Sequence, residues 1–115
     1  MKTIAVYGSL MSNRYNHGMI SGSNLLGKST IKATMYSMGS YPAIIDGDDE
    51  HIIELYEVDD DVHMNVLNME LGAGYVEREQ EFIVEGGQKY TAKVYYAGER
   101  LESYCKQVKE IIKSY

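Results

Sequence analysis

Lys2-Thr3-Ile4-Ala5-Val6-Tyr7-Gly8-Ser9-Leu10 is the stretch on which the reading of this chain turns. Ile4 to Tyr7 is an apolar run of the kind that makes a buried strand, and Gly8-Ser9 stands where that strand must turn. Glycine lets the main chain bend sharply and lets a ligand come close, while successive free amides form a concavity that attracts anions. Tyr7 to Leu10 can therefore hold a carboxylate. The same residues also make an ordinary strand-ending turn, and on this stretch alone both readings stand.

Downstream, Met11 to Ile20 is polar, with a short helix predicted around Arg14 to Met19. Leu25 to Met38 reads as a strand: Ile31, Ala33 and Met35 alternate with Thr30, Lys32 and Thr34, and Gly39-Ser40 closes it. Tyr41 to Ile45 is a short apolar piece containing the only proline, Pro42, which suits an edge or turn. Asp46 to Asp49 is predicted as a loop and His51 to Val58 as another strand. The acids Asp59, Asp60 and Asp61 suit the start of a helix running from Asp61 to about Leu71. Tyr75 to Val84 and Lys89 to Tyr96 flank Glu85-Gly86-Gly87-Gln88, whose paired glycines predict a hairpin. A last helix is expected from Glu99 to Ser114, with Leu101, Tyr104, Cys105, Val108, Ile111 and Ile112 as its apolar stripe. Strands outnumber helices and interleave with them, so the fold class is α+β with a mixed sheet; whether that sheet closes as a barrel is left open by the pattern.

The 115 residues suit a single domain, 1–115, and 44% hydrophobic content is enough for one core. With 11 Lys and Arg against 17 Asp and Glu, the net charge of −6 argues against nucleic acid and anionic membrane as partners. A small molecule is the expected ligand. The lone Cys105 cannot form an internal disulfide, no run approaches membrane-spanning length, and the first residues do not read as a signal peptide, so a cytoplasmic protein is expected. Nothing in these features speaks to oligomeric state.

On a helical wheel, Val62, Val66 and Met69 share one side of the Asp61 to Leu71 helix, and Glu70 borders that apolar face. Burying a carboxylate costs several kcal/mol unless it is paired, so Glu70 either opens into a cavity, as a catalytic acid would, or reaches to water at the last turn before Gly72. Three other patterns are set aside. Gly22 to Ser29 matches the phosphate-loop spacing, but a strand rather than a helix is predicted after it, so no helix amides would face a phosphate. Asp46, Asp48, Glu50 and Glu57 fall at calcium-loop positions, but His51 stands where that loop requires glycine. His17, His51 and His63 lack metal-ligand spacing, and no metal is expected. Ser9 has no identifiable base, and Cys105 is read as packing.

Taken in order, these segments resemble the γ-glutamylcyclotransferase-like family along nearly the whole chain. The motifs carrying the resemblance are Tyr7-Gly8-Ser9-Leu10, Asn16-His17, Leu26-Gly27-Lys28, Gly39-Ser40-Tyr41-Pro42-Ala43, Glu54 to Val58, Glu70 ahead of Tyr75-Val76-Glu77-Arg78, and Ala92-Lys93-Val94-Tyr95. Ile53 and Leu71 stand where the family has glycine. The resemblance implies a small mixed β-barrel with flanking helices that converts a γ-glutamyl amine or peptide to 5-oxoproline and the free amine, without a cofactor. It maps the catalytic acid onto Glu70, which would take a proton from the substrate amine and return it to the leaving nitrogen. Tyr7, Gly8, Ser9 and Leu10 would hold a carboxylate or the developing oxyanion. Tyr75 and Tyr95 are candidate wall residues, with core packing an equally open reading. With Met11 following Leu10, a γ-glutamyl amine is favoured over glutathione. The rival function is a non-catalytic small-anion-binding or interaction module on the same fold.

Overall fold

A computed structural model describes residues 1–8, 17–39 and 41–113. It consists of β1 (Lys2–Val6), a 3-10 turn (His17–Met19), β2 (Asn24–Ser37), β3 (Pro42–Val58), α1 (Asp60–Gly72), β4 (Tyr75–Ile83), β5 (Lys89–Ala97), α2 (Glu99–Val108) and β6 (Ile111–Ile112). The strands form one mixed sheet in the order β4-β5-β1-β3-β2-β6. β1 lies inside it, antiparallel to β3 and parallel to β5.

Strand alternation divides the core between the two faces of this sheet. Ile4, Val6, Tyr36, Ala43, Ile45, Tyr56, Val58, Tyr75 and Tyr95 face one way and are covered by Val66 of α1 and Cys105 of α2. Ala5, Ile31, Ile44, Leu55, Phe82, Val94 and Tyr96 face the other. No described helix covers this second face, and it is buried because the sheet curls onto itself as a half-barrel. The curl brings the β4–β5 turn to β2: Glu85 N–H donates to Lys28 O at 3.0 Å, and Ser29 Oγ donates to Ile83 O at 2.6 Å. Two irregularities make the bend. Leu26 is an extra residue between the pairs Leu25/Tyr56 and Gly27/Leu55, and Gly47 to Asp49 are extra between Ala33/Asp46 and Lys32/Glu50. Each reverses which residues face the interior.

Two predicted elements differ from the structure. The Asp46 to Asp49 loop and the strands on either side of it are one continuous β3, in which those acids form the bulge. Gly47 makes the bulge possible, because a Cβ there would lie 2.1 Å from Thr34 Oγ1. Of the acids at calcium-loop positions, Asp46 is paired with Arg78, and the neighbouring Asp49 is paired with Lys113. The last helix ends at Val108, not Ser114, and Lys109 is already extended. Ile111 and Ile112 instead pair with Tyr36 and Met35 along the open edge of β2. A β-branched pair gains more from completing that ladder than from another helical turn. Of the expected apolar stripe, only Cys105 is fully buried, whereas Tyr104, Val108 and Ile111 are exposed. The helix predicted around Arg14 to Met19 survives as the His17–Met19 turn, and its first part lies outside the described residues.

Candidate functional site

β1 and β5 meet as parallel strands with the register pair Ile4 and Lys93. At the C-terminal end of β1 the hydroxyl of Tyr7 donates to Tyr95 O, tying the two strands by a side chain. A cavity of about 180 Å³ opens at the C-terminal end of β1. Its walls come from Ala5 to Tyr7, from Tyr41 and Pro42, from Met69, Glu70 and Ala73 at the end of α1, and from Tyr75 and Tyr95.

Glu70 is on this wall because α1 is held by its first turn and stopped just after its last. Asp59 caps the helix by accepting Val62 N–H at 2.8 Å, and Ala73 N–H closes the other end on Met69 O and Glu70 O. The face expected to carry Val62, Val66 and Met69 packs against the core, with Val66 fully buried and Val62 and Met69 partly so; the buried His63 joins it, and Glu70 follows one turn after Val66 and two after His63. Burial raises the Glu70 carboxyl to a pKa of about 7. Its carboxylate accepts no hydrogen bond among the described residues. An acid of this kind can exchange a proton near neutral pH.

The tyrosine hydroxyls are committed to protein acceptors. Tyr75 Oη donates to Pro42 O at 2.7 Å, and Tyr95 Oη donates to Glu77 Oε2 at 2.8 Å. Burial and the nearby Glu70 charge both hold the Tyr7 and Tyr95 phenols above their ordinary pKa, so both remain protonated. Gly8 lies beside the site with a φ of +79°, and a Cβ on it would be 2.4 Å from Pro42 Cδ. Ser9 and Leu10 lie outside the described residues. Glu70, Tyr7, Gly8, Tyr75 and Tyr95 are thus brought to one place, from four separate segments.

Sequence reasoning passed over Glu77 and His63. Glu77 Oε2 also meets His63 Nε2 at 2.8 Å, so one carboxylate oxygen joins α1 to the cavity wall. Burial raises the Glu77 pKa, but the bonds from His63 and Tyr95 outweigh it and leave the group below its ordinary value. The available signal was spacing: His63, Val66 and Glu70 stand at i, i+3 and i+7 on one helix. Among the described residues no three His, Cys, Asp or Glu side chains are placed to hold a metal. Lys28, of the phosphate-loop pattern, lies within β2, and no helix follows it. No helix of the described residues is long and apolar enough to cross a membrane.

The sequence profile of the family described as "Gamma-glutamyl cyclotransferase, AIG2-like" matches residues 4–114. The chain belongs to this family. Among gamma-glutamyl cyclotransferase-like relatives it is 31% identical over 72 residues to a Pyrococcus horikoshii protein named "Putative gamma-glutamylcyclotransferase PH0828", a match covering 63% of the chain and 62% of that protein's length. The crystal structure of PH0828 superposes with a TM-score of 0.73 at 26% identity, covering 98% of this chain and 86% of that one. A mouse AIG2-like protein superposes with a TM-score of 0.78 at 19% identity, covering 100% and 88%, and shares the fold. The small α+β half-barrel with its helices on one face is therefore the architecture of this family.

Proposed function

We propose that the chain, acting as one domain, is a cofactor-independent cyclotransferase that releases 5-oxoproline from a γ-glutamyl amine, with Glu70 as the general base and acid. The observation that carries this reading is a buried carboxylate on the wall of a small cavity, without a hydrogen-bond partner among the described residues and raised by burial to a pKa of about 7. The substrate amine arrives protonated, Glu70 takes a proton from it, and the freed amine attacks the γ-carbonyl carbon to close a five-membered ring. Holding the folded substrate supplies proximity worth roughly 7–11 kcal/mol of barrier. The C–N bond to the leaving amine then breaks as Glu70 returns the proton to that nitrogen, and the second proton shed by the new ring nitrogen passes to the released amine, which departs as an ammonium ion. Gly8 and the following loop residues Ser9 and Leu10 would carry the oxyanion or the substrate carboxylate.

A cavity of about 180 Å³ is somewhat larger than the roughly 150 Å³ space that admits benzene, which suits the five-carbon γ-glutamyl unit. The leaving amine would extend outward past Tyr41, which is 38% exposed at the rim. The test is a panel of γ-glutamyl amines and peptides, with 5-oxoproline release followed for wild type and Glu70→Gln. Release by wild type and its loss in the variant are expected. Silence of the wild type across the panel would remove the assignment.

A further inference from the structure

We infer that Glu77, braced by His63, is a positioning residue that turns the Tyr95 hydroxyl into a fixed hydrogen-bond acceptor for the α-ammonium group of the substrate. The inference rests on the cyclotransferase reading and adds to it how the amine is held before Glu70 removes its proton. An ionised carboxylate can only accept, so Tyr95 Oη and His63 Nε2, each 2.8 Å from Glu77 Oε2, are both donors to it. A phenol has one hydrogen. With that hydrogen given to Glu77, the Tyr95 oxygen can offer a donor in the cavity nothing but lone pairs. The Tyr7 hydrogen is likewise committed, to Tyr95 O.

The arrangement is built from the fold. Glu77 and Tyr95 are directly opposed on β4 and β5, so their side chains share a face. His63 reaches the same carboxylate from α1, the helix that also carries Glu70 two turns later. The His63 and Glu77 side chains are only 9% and 21% exposed, which leaves little water to compete for either bond. An acceptor wall beside a carboxylate suits a group rich in N–H and positively charged, and repels the carboxylate end of the same substrate. That end would then lie toward the Gly8 loop, and the α-nitrogen toward Glu70.

The experiment uses the whole chain with γ-glutamyl-methylamide as substrate and its des-amino analogue, N-methylglutaramic acid, as inhibitor. Tyr95→Phe, Glu77→Leu and the double variant are compared with wild type. Each single change should raise KM about tenfold, the size expected when a hydrogen bond to a charged donor is lost, with a smaller effect on kcat. The double variant should be no worse than Tyr95→Phe, because Glu77 acts through that hydroxyl. Inhibition by the des-amino analogue, which lacks the ammonium, should be unchanged throughout. Where Glu77→Leu does not fold, Glu77→Gln serves with the same expectation of non-additivity. Losses that sum in the double variant, or an equal loss of affinity for the des-amino analogue, would overturn the positioning role while leaving the cyclotransferase reading intact. A wild type that releases no 5-oxoproline would remove both.

Discussion

Glu70 carries the largest consequence of any residue here, because burial has moved its titration from 4.5 to about 7. Between those values the folded protein holds more protons than the unfolded chain, so unfolding free energy falls as pH rises from about 4.5 to about 7 and is level above. Glu70→Gln removes that dependence. The melting-temperature advantage of the variant over wild type should grow across this interval and then stay constant, measured by thermal scans at several pH values. Turnover should fall about 10²–10⁴-fold in the variant, and wild-type kcat/KM should rise with pH through about 7 as the base ionises. Gly8 behaves differently from what its place in a ligand loop suggests. Its φ of +79° and the 2.4 Å approach to Pro42 Cδ mean that Gly8→Ala strains the fold itself. A loss of about 1–2 kcal/mol in urea unfolding is expected, along with any effect on binding.

At the scale of elements, α1 matters because it presents both Glu70 and His63. Its cap is the Asp59 carboxylate on Val62 N–H at 2.8 Å, and Asp59→Ala should cost about 1 kcal/mol, or roughly 4 °C in Tm, with the site geometry otherwise kept. β2 carries the opposite lesson. The phosphate-loop spacing of Gly22 to Ser29 runs straight into this strand, so Lys28 presents no helix amides and Lys28→Ala should leave 5-oxoproline release unchanged, with no magnesium-dependent ATP binding in either protein by calorimetry. α2 and β6 show where periodicity misleads: a stripe through Val108 and Ile111 fits a helix, but the edge of β2 offers Ile111 and Ile112 a ladder to complete.

For the whole molecule, the interior of the curled sheet should dominate stability. Phe82 is buried at 4% exposure inside it, and Phe82→Ala should cost roughly 3–5 kcal/mol, a large part of the 5–15 kcal/mol typical of a domain. Val108, placed by periodicity in the core, is 58% exposed, so Val108→Ala should change stability by no more than about 0.5 kcal/mol. Chemical denaturation of the two variants side by side checks the assignment of interior and surface. Curling also explains why the cavity lies where it does. β1 lies inside the curled sheet between β3 and β5, and the cavity at its C-terminal end is walled by β1, the start of β3, the end of α1, β4 and β5.

Legible along the chain were the strands β1, β2, β4 and β5, the Gly86-Gly87 hairpin, the extent of α1 to within a residue or so, and the single acid bordering its apolar face. These are local: they follow from alternation, turn chemistry and capping within a few residues. Three features emerge on folding alone: β3 runs unbroken through its acids, β6 leaves the last helix, and Glu77 joins His63 to Tyr95. Each of these depends on a partner distant in sequence. The Gly47 bulge forms because Thr34 lies against it, β6 because the edge of β2 was open, and the Glu77 bonds because β4 pairs with β5 beneath α1. No local pattern records a partner that only folding brings within hydrogen-bond reach.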